Sequence, residues 1–175
     1  MTDWLQAQMF ERRVVLLSGR LDDLLATGVA TQLMTLDASG DESIRLHLNS
    51  GEGTLTAALT LMDTISAVGV PVEAICTGRA EGPALGVLAV ASRRLAAPHS
   101  RLRLQDPGLL AEGTGDALSQ ALEQHRRQLD RFIQRVAEAT RQPAERVEVD
   151  LANGRHFDAQ EALIYRLIDA LWTST

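Results

Sequence analysis

The sequence has no lysine: the seventeen basic residues among its 175 are all arginine. That absence removes a lysine Schiff base, a Ser–Lys dyad and the lysine of a phosphate-binding loop at once. Cysteine is almost missing too. The single Cys76 forbids an internal disulfide and suggests a reducing compartment. Inside an apolar strand it reads as a small buried hydrophobe rather than a reactive thiol. Aromatic residues are only 3% of a chain that is 45% hydrophobic, so aliphatic side chains must build the core. No apolar run is long enough to span a membrane, and the N-terminal MTDWLQAQMFERR lacks the basic-then-apolar pattern of a secretion signal. The expected setting is cytoplasmic. A net charge of −6 leaves no basic excess for nonspecific nucleic-acid binding. The four histidines are scattered without ligand-like spacing, and neither a phosphate loop nor a dinucleotide fingerprint occurs. No metal and no cofactor is assigned.

What is present is an alternation of strands and helices. At this length a single domain over residues 1–175 is expected. Val14 to Leu17 reads as a buried strand, and Asp22 and Asp23 can cap the helix that follows as far as Leu36. Ile44 to Leu48 alternates apolar with polar, as a second strand should. The turn from Asn49 to Gly53 leads into a helix over about Thr54 to Val68, closed by Gly69. Pro71 introduces a third strand, Val72 to Thr77, and Pro83 opens a small-residue helix to Ala91. Short strands are expected near Arg94 to Ala96 and Leu102 to Gln105, with a loop over Asp106 to Gly115. A long helix from about Asp116 to Thr140 follows, then a short helix after Pro143, a last helix at Glu161 to Tyr165, and Leu167 to Leu171. Short connections between alternating elements predict an α/β fold with a mostly parallel sheet and right-handed crossovers.

Two features carry functional content. The first is the bend GRAEGPALG, Gly78 to Gly86, between the third strand and the small-residue helix. Hydrolytic α/β folds use such a bend to hold a nucleophile where backbone N–H groups stabilise an oxyanion. No Ser, Cys, Thr or Lys lies within it. The elbow is built without its reactive side chain. The second feature is the seam Leu118, Leu122, His125, Leu129, Phe132 and Val136, spaced 4, 3, 4, 3, 4 along the long helix. That narrow, heptad-like stripe suits a helix facing another helix, with His125 an interface or core residue rather than a ligand.

Five ordered segments resemble the proteolytic subunit of Clp protease. They are LHLNSGEGTLTAALTLMDTI (Leu46 to Ile65), PVEAICTGRA (Pro71 to Ala80), RLAAPHSRLRLQDP (Arg94 to Pro107), AEATRQPAERVEVD (Ala137 to Asp150) and EALIYRLIDAL (Glu161 to Leu171). The resemblance implies a Clp/crotonase-like fold of repeated ββα and βα units, with a protruding handle over about 106–142. It also implies a serine–histidine–aspartate triad, whose members map to Gly82, Gln105 and Gly154. Glycine offers no nucleophile, and a glutamine amide cannot cycle a proton near neutral pH. Asp150 and Asp158 lie near the third position but have no histidine to orient. The mapping puts an oxyanion-hole remnant at Gly53 and Pro83. Glu52, Glu81 and Asp106 are candidates for a repurposed pocket, since carboxylates there disfavour a developing oxyanion.

The family also carries an axial loop ahead of its first strand that helps engage an ATPase. Only about a dozen residues precede Val14, so the resemblance does not extend to that loop. The implied role is a noncatalytic structural or regulatory subunit that self-associates into rings or joins active Clp subunits, the seam residues forming the oligomer interface. An ATPase unfoldase would be a separate partner. A second reading is an acyl-CoA enzyme or binder on a crotonase-like scaffold, using Glu52 and Glu81 as an acid–base pair; two solvated turn carboxylates are the plainer interpretation. A third is an active peptidase with a displaced nucleophile at Ser50, Thr54 or Thr77 and a base at His47, His99 or His156. Ser50 belongs to the turn, where a backbone hydrogen bond or a helix cap is its simpler role.

Overall fold

The computed structural model describes residues 3–109 and 115–173. Its strands are β1 (Val14–Ser18), β2 (Ile44–Ser50), β3 (Val72–Glu81), β4 (Arg93–Ala96), β5 (Arg101–Arg103), β6 (His156–Phe157) and β7 (Ala170–Leu171). The helices are α1 (Asp3–Glu11), α2 (Asp23–Ala38), α3 (Leu55–Ala67), α4 (Pro83–Ala89), α5 (Asp116–Thr140), α6 (Ala144–Ala152) and α7 (Ala159–Tyr165). The main sheet runs β1-β2-β3-β4-β7, every neighbouring pair parallel. Helices α2, α3 and α4 each bridge successive strands, as parallel pairing requires.

Helix starts follow from local chemistry. The Asp22 carboxylate accepts from Leu25 N at 2.9 Å, and the Thr54 hydroxyl oxygen accepts from Ala57 N at 3.2 Å. Asp158 and Glu161 form a reciprocal capping box at α7. At the other end, Arg141 and Arg166 close α5 and α7 with φ of 55° and 67°. Glycine is the usual residue there, and a side chain in this conformation costs about 1 kcal/mol.

Strand β3 shapes the site. The apolar run ends at Thr77, which is where the sequence predicts the strand to stop. It continues through Gly78 and Arg79 to Glu81 because β5 arrives to pair with it: Arg79, Ala80 and Glu81 align with Arg101, Leu102 and Arg103. The first half of β3 pairs instead with β4, so the sheet forks along one strand. Between Leu48–Cys76 and Ser50–Ala80 the register slips, a bulge that bends the second half away. Gly78 lies at this bend because a Cβ there would sit 2.6 Å from Asn49 Oδ1. Strand β5 overlaps the strand expected near Leu102 to Gln105, whereas its antiparallel partner β6 and helix α1 are further elements that the sequence reading did not contain.

Helix α4 is buried at all seven residues, which explains its small side chains. Gly86 faces the ring of Phe132 from α5, and a Cβ at Gly86 would overlap that ring. Helix α5 is about 37 Å long by its residue count. It buries only Phe132, Ile133, Val136, Ala137 and Thr140, all toward its C-terminus. Residues 115–120 are exposed, so the first part of the helix stands off the body. Of the predicted loop over Asp106 to Gly115, residues 110–114 lie outside the described residues.

Candidate functional site

Pocket geometry begins at Gly82, the residue between β3 and α4. Its backbone has φ 54° and ψ −123°, a region that side-chain-bearing residues enter only with strain. This is the sharp strand-to-helix turn that a nucleophile elbow needs. The Gly82 N–H donates to Arg103 O at 2.9 Å, which pins the elbow to β5. A Cβ built on Gly82 would lie 3.4 Å from the Gln105 carbonyl oxygen. The fold therefore brings positions 82 and 105 together. Gly154, also at positive φ, lies beside Arg103: the Arg103 Nε donates to Gly154 O at 3.2 Å. A Cβ on Gly154 would meet the Arg103 guanidinium at 2.9 Å. An arginine fills the space into which a side chain at 154 would grow.

Gly82 and Gln105 share a cavity of about 200 Å³ with Arg20, Gly51, Glu52, Gly53, Pro83 and Pro107. None of these eight residues carries a hydroxyl, thiol, imidazole or amine. The Gly53 N–H meets no backbone acceptor among the described residues, whereas its neighbours Glu52 and Thr54 bond to Leu21. A Cβ at Gly53 would lie 2.5 Å from Leu21 O, so only glycine fits there. Pro83, the other half of the expected oxyanion remnant, has no N–H and contributes shape alone.

The three candidate carboxylates do not converge. Glu52 lines the cavity, but Glu81 and Asp106 do not. Glu81 is half-buried on β3, in register with Arg103. Asp106 turns toward the handle, where its carboxylate accepts from Gly108 N at 2.8 Å and lies 3.4 Å from His125 Nε2. Glu52 and Glu81 therefore do not both line this cavity. No group of three metal-ligating residues occurs among the described residues.

The candidate displaced nucleophiles are occupied locally. Ser50 is fully buried and its hydroxyl donates to Glu52 O, Thr54 caps α3, and the Thr77 hydroxyl donates to Leu48 O. His47 packs edge-on against Trp172 with ring centres 5.7 Å apart. Burial, with the Arg45 charge behind it, lowers the His47 pKa and keeps the imidazole neutral. His99 is exposed in a loop, and His156 is exposed on β6 beside Arg103. Burial raises the Cys76 pKa, as expected of an inert thiol.

A family model described as Clp protease matches residues 2–175. The chain belongs to the Clp protease family. Within that family it is 32% identical, over 166 residues, to the ATP-dependent Clp protease proteolytic subunit-related protein 2, chloroplastic, of Arabidopsis thaliana. The match takes in 93% of this chain and 60% of the relative, so the chain spans about three-fifths of that protein's length.

For this Clp-family chain the seam on α5 divides. Phe132 and Val136 are buried in its own core, at 1% and 0% exposure, and cannot also face a partner. Leu129 is half-buried against the same core. Leu118 and Leu122 are 37% and 53% exposed. The sequence reading missed the arginines around the cavity. Arg20 lines it, and the Arg79 guanidinium lies over Gly51, 2.8 Å from where a Cβ would sit. Arg20 lies just after β1 and Arg79 lies past the apolar run of β3, and no spacing pattern in the sequence marks either.

Proposed function

We propose that this chain is a noncatalytic structural or regulatory subunit of a Clp-type proteolytic assembly. One observation carries the reading: the elbow backbone at Gly82 is formed and shares with Gln105 a cavity whose lining holds no hydroxyl, thiol or imidazole. Gly82, Gln105 and Gly154 stand where the family resemblance places serine, histidine and aspartate. Loss of one triad member is already severe, because the three act as a unit. The name of the Arabidopsis relative, an ATP-dependent protease subunit-related protein, supports carrying the setting over to this chain. Self-association, alone or with active subunits, would use the free face of α5 at Leu118 and Leu122, and an ATPase would be a separate partner.

The test combines labelling with mass. The purified chain should take up no fluorophosphonate probe and should run as an oligomer in native mass spectrometry, alone or coexpressed with an active Clp subunit. Labelling at Ser50, Thr54 or Thr77 would overturn the noncatalytic role. A strict monomer under both conditions would overturn the assembly role. Gly82→Ser alone should stay unlabelled, since Gln105 cannot accept the proton and Pro83 offers no oxyanion donor.

A further inference from the structure

A second cavity, of about 390 Å³, opens away from the elbow and is lined by Arg94, Ala139, Arg141, Leu163, Arg166, Ile168 and Asp169. Three arginines against one aspartate make it cationic in a chain whose net charge is −6. Arg94 is fully engaged. Its guanidinium bonds to both Asp169 carboxylate oxygens and also donates to Ala139 O at 2.9 Å and Arg166 O at 3.0 Å. The carbonyls at the ends of α5 and α7 are thereby served.

Arg141 and Arg166 differ. Each occupies a left-handed helix-ending position that favours glycine. Neither guanidinium has a carboxylate or hydrogen-bond acceptor among the described residues. Arg94 already satisfies the carbonyls they would otherwise serve. Two residues in a disfavoured backbone conformation thus bring unspent guanidinium groups to one cavity. Its remaining wall, Ala139, Leu163 and Ile168, is aliphatic.

We propose that this cavity binds the terminal carboxylate of a polypeptide that ends in an aliphatic residue. Arg141 and Arg166 hold the carboxylate through charge-assisted hydrogen bonds, and the last side chain packs against Leu163 and Ile168. The assignment does not depend on the role of the elbow cavity.

The probe is N-acetyl-leucine, a free carboxylate on an aliphatic residue, titrated into the full chain while the arginine side-chain Nε–H resonances are followed by NMR. Its amide and inorganic phosphate serve as comparisons. N-acetyl-leucine should shift the Arg141 and Arg166 resonances, and both comparisons should bind at least tenfold more weakly. Arg141→Gly and Arg166→Gly should each weaken binding about tenfold or more while keeping or raising Tm, because glycine relieves the positive φ. Undiminished binding by both variants would overturn the proposal, as would no response to N-acetyl-leucine. A response to the amide or to phosphate that equals the response to N-acetyl-leucine would overturn it too, leaving an apolar or general anion contact.

Discussion

The two ends of α5 carry one unbroken stripe of apolar spacing and meet opposite fates. Toward the C-terminus, Phe132 and Val136 close the core over α4. Toward the N-terminus, Leu118 and Leu122 face outward, with no element of the described chain over them. The same periodicity thus encodes an anchor and a free face. Arg94 and Arg135 strengthen the anchored part: Arg94 donates to Ala139 O, and Arg135 ties α5 to Asp63 and Ser66 of α3. The lesson is that a repeat identifies which side of a helix is apolar, while its partner is decided by what lies opposite.

The comparison breaks most sharply at Phe132. Phe132→Ala should empty a fully buried site and cost about 3–5 kcal/mol in denaturant unfolding. Next comes its counterpart: Gly86→Val must displace the Phe132 ring and should cost about 1–3 kcal/mol by the same measurement. A loss near zero at both positions would mean that the anchor lies elsewhere.

A smaller effect should appear in acid. Burial alone would raise the Asp169 carboxyl, but hydrogen bonds from Arg94 outweigh it and hold the pKa below its ordinary value. The stability from this contact is complete above the ordinary aspartate pKa, roughly 3.9. It is lost as pH falls through the lower native value, because the unfolded chain takes up the proton first. Asp169→Asn should flatten that part of a pH–Tm profile. His47 works in the same direction at higher pH. Its lowered pKa means that stability is complete above the ordinary histidine range and declines as pH falls below it. His47→Gln should remove that slope.

The smallest stability effect belongs to the free end. Leu118→Glu with Leu122→Glu should shift unfolding by no more than about 0.5 kcal/mol. Oligomeric mass should nevertheless fall if this face is the assembly surface. An unchanged mass by native mass spectrometry would count against that role.

Much of the fold was legible in the sequence because its signals are local. Asp22 caps α2, and α5 runs from Asp116 to Thr140 as the periodicity predicts. The elbow glycine stands at a helix start as well. Less of the site was legible. Glu81 belongs to a strand that continues only because β5 pairs with it, and pairing across that distance leaves no local mark. Asp106 turns to His125 rather than to Glu52, a choice made by where the handle lies.

By itself, the sequence determined the alternation of strands and helices, the aliphatic core and the absence of a nucleophile in the elbow. Each depends on residue type and spacing along the chain. Tertiary structure alone decided which half of the α5 stripe is covered and which carboxylate reaches the cavity. It also decided that Arg141 and Arg166, at the ends of different helices, line one pocket. Burial and electrostatics depend on distance through space, and folding sets those distances between residues far apart in the chain.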